Sequence, residues 1–152
     1  MASPSAISEL LNQVRNSQGI VAAGTDMVIS GSPLSPARFL LLRVVAFSQA
    51  AKTVPTLARH LAVSRQAIQR LADGLAKDGI VALRPNPHHL KAPLVVMTPK
   101  GRQLFDLCES RYQEWLASLA GTFSDDEVDA ATKLLQRLQE CIAGSDPAQT
   151  GR

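Results

Sequence analysis

Two arginines and two glutamines, side chains that suit hydrogen bonding to DNA base edges, stand close together near the middle of the chain. They are Arg65, Gln66, Gln69 and Arg70. In the major groove an arginine can bond in bidentate fashion to guanine, and a glutamine can do the same to adenine. Each of these residues alone is ordinary on a helix surface. As a set, with no acidic residue before Asp73 on that face, they favour recognition of double-stranded DNA.

These side chains belong to a predicted helix whose two ends can both be identified from the sequence. Ser64 is a good N-cap, and Gly79 is placed to take the left-handed conformation beyond the helix C-terminus. Ile68, Leu71 and Leu75 recur at helical spacing and predict a buried face that holds the helix rigidly. The Ser64 hydroxyl and the first backbone amides can also donate to a phosphate. The predicted recognition surface comprises Ser64, Arg65, Gln66, Ala67, Gln69 and Arg70.

The segments around this helix predict a winged helix-turn-helix. Residues 54–61 form a short helix joined to it by a tight link, and residues 81–84 and 94–97 have the composition of strands. The segment 85–93 between them is too rich in proline for a strand, so it predicts a protruding loop and a β-ribbon, or wing. The wing residues expected to contact DNA are Arg84, His88, His89 and Lys91.

The histidines and cysteines of the chain offer little for a metal ion. His88 and His89 are adjacent on a loop without a third ligand, which makes a poor zinc site. Cys108 and Cys141 lack C-x-x-C spacing and predict neither a zinc site nor a disulfide framework. We therefore expect no metal and no cofactor. Cys108 lies on an apolar helix face, which favours a core position, and a redox-sensing thiolate is the alternative.

Helices at both ends of the chain carry apolar stripes suited to assembly. A helix over residues 5–18 is predicted, and Gly19 and Gly24 are expected to weaken its continuation. The last helix begins with a capping box, Ser124 to Glu127, and then repeats apolar residues at steps of three and four. These stripes predict a homodimer interface, although they could instead cover the central helix. The predicted interface residues are Ile7, Leu10, Leu11, Val14, Val128, Leu135, Leu138 and Ile142.

Two further helices complete the expected fold. Ser35 and Pro36 mark a helix start, and residues 39–47 are apolar nearly all round, which predicts a central helix buried on most sides. Thr98 caps a helix that runs to about Ala120. The fold class is mainly α with a small β-wing: a winged helix-turn-helix lobe plus N- and C-terminal dimerisation helices. The expected divisions are 1–34 and 99–143 for dimerisation, 35–98 for DNA binding and 144–152 as a disordered tail.

Composition and charge narrow the function classes. No apolar run reaches the roughly 20 residues that cross a bilayer, and the N-terminus lacks the features of a signal peptide, so a cytoplasmic location is expected. No nucleophile arrangement, phosphate loop or close acid pair points to an enzyme. Residues 52–91 hold seven basic and two acidic side chains, net +5, whereas residues 98–143 hold five basic and eight acidic, net −3. This asymmetry favours a polyanion near the middle of the chain.

Three stretches resemble the MarR (multiple-antibiotic-resistance regulator) family. They are LARHLAVSRQAIQRL at 57–71, LAKDGIV at 75–81 and LVVMTPKG at 94–101. The resemblance extends over nearly the whole chain and implies a homodimer whose two winged lobes bind a palindromic operator. It also implies a transcriptional regulator, expected to be a repressor, that a small-molecule effector releases from DNA. Met27, Phe39 and Arg43 form the candidate effector pocket.

The chain departs from the family at the wing tip. Members carry an acidic and basic cluster there whose arginine enters the minor groove, whereas this chain has His88-His89-Leu90-Lys91. A narrow minor groove attracts lysine and histidine less well than arginine. Minor-groove contact is therefore expected to be weakened or sensitive to pH. The altered wing motivates one alternative, a dimeric protein-interaction module of the same fold that has lost strong DNA binding.

Overall fold

The computed structural model describes residues 1–87 and 92–144, which form helices and one small sheet. The elements are α1 (Pro4–Val28), α2 (Pro36–Phe47), β1 (Lys52–Thr53), α3 (Val54–His60), α4 (Arg65–Lys77), β2 (Val81–Arg84), β3 (Leu94–Met97), α5 (Pro99–Ala120) and α6 (Asp125–Gly144). The predicted fold class, mainly α with a small β-wing, is confirmed. None of the described helices is long and apolar enough to span a membrane.

The sheet has three antiparallel strands in the order β1-β3-β2. Strands β2 and β3 form the predicted ribbon, with Val81 opposite Met97 and Arg84 opposite Leu94. Strand β1 was not predicted, because two residues carry no periodic pattern and its pairing is set by tertiary contact. Lys52 of β1 lies opposite Val95.

Helix α1 is longer than the sequence indicated. The expected weakening at Gly19 and Gly24 is wrong, because one helix runs without interruption from Pro4 to Val28. A glycine inside a helix costs only about 1 kcal/mol relative to alanine, and packing can exceed that cost. Here the buried Thr25 donates its hydroxyl to the carbonyl of Val21 at 2.9 Å. The chain turns away only after Ile29, where Gly31 has a φ of +80°.

Both ends of helix α4 agree with the sequence prediction. The Ser64 hydroxyl accepts a hydrogen bond from the amide of Ala67 at 3.2 Å. At the other end Gly79 has a φ of +70°, and the amide of Ile80 donates to the carbonyl of Leu75 at 2.8 Å. This is a Schellman ending, which only a residue tolerant of the left-handed region forms without strain. The boundaries of this helix are therefore fixed by local chemistry.

The link between α3 and α4 uses the same ending with a less suitable residue. Ala62 has a φ of +53° and is the one non-glycine residue with positive φ in the described chain. The amide of Val63 donates to the carbonyl of Ala58 at 3.1 Å, and the amide of Ala62 donates to that of Arg59 at 3.3 Å. An L-residue is disfavoured in this conformation because its Cβ approaches the following carbonyl oxygen. The tight link therefore stores a small strain.

The core joins α2, α4, β3 and the first half of α5. Its fully buried members include Phe39, Leu41, Leu42, Ile68, Ala72, Leu75, Val95, Phe105 and Cys108. Helix α2 is central, as predicted, but burial on most sides is wrong for part of it: Leu40 and Phe47 are exposed. The rings of Phe39 and Phe105 lie 5.9 Å apart between centroids, which places an aromatic contact between α2 and α5.

Helices α5 and α6 begin as the sequence predicted. The Thr98 hydroxyl accepts from the amide of Gly101 at 3.0 Å, and the Ser124 and Glu127 side chains form the reciprocal capping box. Helix α6 ends at Gly144, one residue later than predicted, and residues 145–152 of the expected tail lie outside the described part. The chain divides into two compact units, Met1–Gln113 and Glu114–Arg152. The four predicted divisions are not tested and stay a prediction.

Candidate DNA-binding surface

Helix α4 has one fully buried face and one face that meets solvent. Ile68, Ala72 and Leu75 have no exposed surface, so they anchor the helix in the core of the first unit. The polar side chains project from the other face and are exposed. They are Ser64, Arg65, Gln66, Gln69 and Arg70, with Ala67 half-buried beneath them. The structure therefore brings together on one surface the donors that the sequence predicted.

The N-terminal end of α4 borders a groove of about 230 Å³. Its lining residues are Val54, Pro55, Arg65, Gln66, Gln69, Ala92 and Pro93. Three recognition-surface side chains thus lie beside the start of α3 and the base of the wing. The amide nitrogen of Gln69 donates to the carboxylate of Asp73 at 2.8 Å, which orients the Gln69 side chain along the helix.

The wing is described only at its base. Arg84 is exposed at the end of β2, where it lies opposite Leu94 of β3. His88, His89 and Lys91, the other predicted wing residues, lie outside the described residues. Arg84 is therefore the one predicted wing contact whose placement the structure gives.

Sequence reasoning missed a set of contacts at the C-terminal end of α4. Arg38 of α2 makes an ion pair with the side chain of Asp78 at 2.8 Å. The Lys100 ammonium donates to the carbonyl of Asp78 at 2.7 Å, and the Thr98 hydroxyl donates to that of Gly79 at 2.7 Å. The sequence had indicated Thr98 only as the cap of a helix and Lys100 only as part of the MarR-like stretch at 94–101. Their partners are about 20 residues away in sequence, where no local pattern can reveal them.

The three candidate effector residues have different environments. Met27 is 67% exposed, whereas Phe39 is completely buried. The Arg43 guanidinium lies 4.4 Å from the ring centroid of Tyr112 and, through Nη1, 3.2 Å from Oε2 of Glu109. These two buried atoms are close enough for an ion pair but are not aligned for a hydrogen bond, and neither has another partner in the described chain. The effector pocket stays a prediction.

Within one chain the predicted interface residues are exposed or half-buried: Leu10, Leu11, Val14 and Leu138 are half-buried, and the other four are exposed. No residue of α6 is buried, and Val128 and Ile142 are 52% and 57% exposed. In α1 Ile7 is 40% exposed. Among the cysteines, Cys108 is completely buried, as expected of a core residue, and Cys141 is exposed.

Comparison with known proteins agrees with this geometry. A MarR family model matches residues 32–92. An uncharacterized protein of Mycobacterium tuberculosis is 37% identical over 141 residues, covering 93% of this chain and 97% of the relative. The transcriptional activatory protein BadR of Rhodopseudomonas palustris is 29% identical over 65% of this chain and 57% of its own. The repressor YetL of Bacillus subtilis is 27% identical over 75% and 69%.

Solved structures share the fold. A mutant MarR of Escherichia coli in complex with operator DNA has a TM-score of 0.77 at 23% identity, covering 91% of this chain and 99% of the other. Bordetella bronchiseptica BpsR, whose DNA binding is regulated by 6-hydroxynicotinic acid, has a TM-score of 0.72 at 21% identity, with 89% and 93% covered.

The winged helix-turn-helix and its exposed donor face define the class, a DNA-binding transcription regulator. The chain belongs to the MarR family. The members of this family are regulators of transcription and not enzymes.

Proposed function

We propose that the protein reads a palindromic operator as a homodimer, with the exposed face of α4 in the major groove, and represses transcription. One observation carries the proposal. Arg65, Gln66, Gln69 and Arg70 are exposed together on a helix whose other face is locked into the core. A rigid helix that presents such donors at its N-terminal end is the arrangement by which helix-turn-helix proteins contact base edges.

The homodimer is supported by the apolar surface that one chain leaves uncovered. The α6 seam, which we define as Val128, Ala131, Leu135, Leu138 and Ile142, contains no buried residue. Charged side chains, including the paired Asp129 and Lys133, lie on the other side of the same helix. An amphipathic helix whose apolar stripe is exposed in the monomer finds its partner in assembly. Two-fold symmetry then matches the symmetry of a palindromic site.

Selection of duplexes from random DNA, followed by gel shift, tests base recognition. Arg65→Ala and Arg70→Ala should each cost about 1–3 kcal/mol of binding free energy at particular base pairs and relax the preference there. Arg84→Ala should instead weaken binding to all duplexes about equally, because a wing phosphate contact carries no sequence information. Arg15→Ala in α1 is the matched control, since Arg15 bonds to Leu11 and Asn12 within its own helix.

Unchanged selection by both recognition-helix variants would contradict the assignment of α4. If the wild-type protein forms dimers but selects no sequence, the protein-interaction module becomes the better reading. The direction of regulation needs a reporter driven by the selected site. We propose repression, because the Bacillus relative is a repressor. Increased reporter expression would instead indicate an activator, as the Rhodopseudomonas relative is named.

An effector is a second element of the proposal. The Bordetella neighbour's DNA binding is regulated by 6-hydroxynicotinic acid, and Arg43 offers a cation between aromatic rings, with no aligned hydrogen bond to Glu109. We expect aromatic acids such as 6-hydroxynicotinic acid to shift the melting temperature and release DNA, and Arg43→Met to abolish both effects. A melting shift that persists in Arg43→Met places the binding site elsewhere.

A further inference from the structure

The C-terminal end of α4 is tied to two other helices by side chains that no DNA contact requires. The carbonyls of Asp78, Gly79 and Ile80 follow one another where the recognition helix ends. All three accept hydrogen bonds from the start of α5: Lys100 Nζ to Asp78 at 2.7 Å, Thr98 Oγ1 to Gly79 at 2.7 Å, and the Thr98 amide to Ile80 at 3.0 Å. The carbonyls of Gly74, Leu75 and Ala76 in the last turn are already bonded by the amides of residues 78–80, so the bonds from α5 hold the backbone that immediately follows the helix.

A second tie comes from α2. Nη1 of Arg38 lies 2.8 Å from a carboxylate oxygen of Asp78, and the Arg38 side chain is three-quarters buried. The same guanidinium occupies the space above Gly74, where an added Cβ would lie 2.7 Å from Nη2. Asp78 is therefore held by its side chain from α2 and by its backbone from α5.

The approach of α5 is closer than an ordinary helix contact. A Cβ built at Gly101 would lie 2.0 Å from the carbonyl oxygen of Ile80, so only glycine allows the first turn of α5 to rest on the backbone there. The Thr98 hydroxyl also caps α5 by accepting from the Gly101 amide at 3.0 Å. The Thr98 hydroxyl thus accepts from Gly101 in the first turn of α5 and donates to Gly79 just after α4. The start of α5 and the end of α4 are therefore joined through one side chain.

Hydrogen bonds add a directional constraint to the one that the buried side chains place on the recognition helix. Ile68, Ala72 and Leu75 hold the helix in the core, but the hydrophobic effect that drives their burial is not directional. Hydrogen bonding to base edges needs the side chains of α4 to be placed to within a fraction of an ångström, whereas attraction to phosphates tolerates larger displacements. Directional bonds at the C-terminal end supply the missing constraint.

We propose that Thr98, Lys100 and Arg38 are positioning residues for DNA recognition, because they fix the orientation of α4 relative to α5 and α2. The inference rests on the proposed function of α4. Its consequence is that removing these bonds lowers the preference for the operator while general attraction to DNA is kept. Loss of a direct phosphate contact would instead lower the affinity for the operator and for unrelated DNA about equally and leave the preference unchanged.

Affinities of the wild-type protein, Thr98→Val and Lys100→Met for two duplexes test this proposal. The first duplex is one that the wild-type protein selects from random DNA, and the second is its scrambled sequence, both measured over a series of salt concentrations. Each variant should lose roughly 2- to 30-fold in the ratio of the two affinities, the size of effect typical of residues that act through others. Binding to the scrambled duplex and its salt dependence should not change.

Matched variants separate positioning from folding and from charge. Thr98→Ser keeps the hydroxyl and should restore the ratio. Lys133→Met removes the same charge from a lysine that pairs with Asp129 on α6, and it should leave the ratio unchanged. Circular dichroism sets a temperature at which the variants are folded. If Thr98→Val does not fold, the exposed Lys100 still gives the test, with Arg38→Met as a second variant.

Two results overturn the positioning role and leave the proposed function in place. One is an unchanged affinity ratio in folded Lys100→Met while Arg65→Ala loses its preference. The other is an equal loss on both duplexes with a salt slope smaller by about 0.9, which identifies Lys100 as a direct phosphate contact. A wild-type protein without preference for any duplex overturns the proposed function and this inference together.

Discussion

Gly101 lies where the first turn of α5 meets the backbone of Ile80. An added Cβ would be 2.0 Å from the carbonyl oxygen of Ile80 and 2.9 Å from its carbon. Because these atoms belong to the backbone, the clash cannot be relieved by moving a side chain. We expect Gly101→Ala to lower the free energy of unfolding by about 1–3 kcal/mol or more, as overpacked sites do. Chemical denaturation gives this value.

Gly19 offers the matched comparison for Gly101. It also lies inside a helix, but a Cβ there meets nothing within 4 Å. Gly19→Ala should therefore stabilise the protein by up to about 1 kcal/mol through helix propensity. Equal effects of the two substitutions would show that the close approach of α5 is not maintained in solution.

Ala62 carries the strained conformation of the helix-turn-helix link. With a φ of +53°, it is in a region that glycine enters without a steric penalty. Ala62→Gly should raise the unfolding free energy by about 0.5–1 kcal/mol, because relief of strain exceeds the greater freedom of glycine in the unfolded chain. Thermal or chemical denaturation measures the difference.

Ala23→Gly, within helix α1, is the control for the Ala62 substitution. It exchanges the same residue types at a helical position and should cost about 1 kcal/mol. A destabilised Ala62→Gly protein would mean that the link does not hold its left-handed geometry.

At the scale of elements, the capping box of α6 makes the stability of this helix depend on pH. The backbone amide and hydroxyl of Ser124 both donate to the Glu127 carboxylate, and these hydrogen bonds, the backbone one first, lower the pKa of Glu127 below 4.5. Since the folded pKa is depressed, this stabilisation is present above pH 4.5 and is lost as the pH falls through the folded pKa.

We therefore expect the stability difference between the wild-type protein and Glu127→Gln to shrink below pH 4.5. Denaturation at a series of pH values measures it. Ser124→Ala removes the hydroxyl donor but keeps the backbone amide, so it should return the pKa of Glu127 only part of the way toward its ordinary value in an NMR titration. If that pKa is the same in the wild-type protein and in Ser124→Ala, the Ser124 hydroxyl does not bond to Glu127.

Elements whose ends are set by nearby residues could be predicted from the sequence, and those set by distant packing could not. The bounds of α4 follow from Ser64 and Gly79, whose hydrogen bonds reach only a few residues. The length of α1 depends on burial of Thr25, which outweighs the glycines before it. Strand β1 exists because Lys52 meets Val95, a contact that no pattern of two residues can signal.

The same distinction between local and distant contacts applies to the candidate DNA-binding surface. The exposed donors of α4 could be named in advance, because helical periodicity assigns residues to faces. The ties from Thr98, Lys100 and Arg38 to the end of this helix could not, since each joins residues about 20 to 40 positions apart. Periodicity shows which side chains face outward, and only tertiary structure shows what orients the helix that carries them.

At the scale of the whole molecule, the proposed homodimer depends on the α6 seam. Leu135 is 38% exposed and lies near the middle of the seam. A charge buried in an apolar interface is costly, so Leu135→Glu should yield monomers and weaken operator binding. Light scattering gives the mass, and gel shift gives the binding. Gln136→Glu adds the same charge on the other side of the helix and should remain dimeric.

A monomeric wild-type protein would contradict the proposed homodimer, whereas a dimeric Leu135→Glu variant would place its interface elsewhere. The predicted stripe of α1, from Ile7 to Val14, is the alternative to test next. Substitutions there would then change the mass while those in α6 would not.

The lack of any buried residue in α6 also affects how long the protein is expected to survive in the cell. A helix of 20 residues with no buried side chain is only marginally stable in water without a partner. Below the concentration at which subunits associate, this segment is expected to unravel and become a substrate for proteases. If the proposed homodimer forms, chains that have not dimerised are then degraded first, and the lifetime of the protein rises with its concentration.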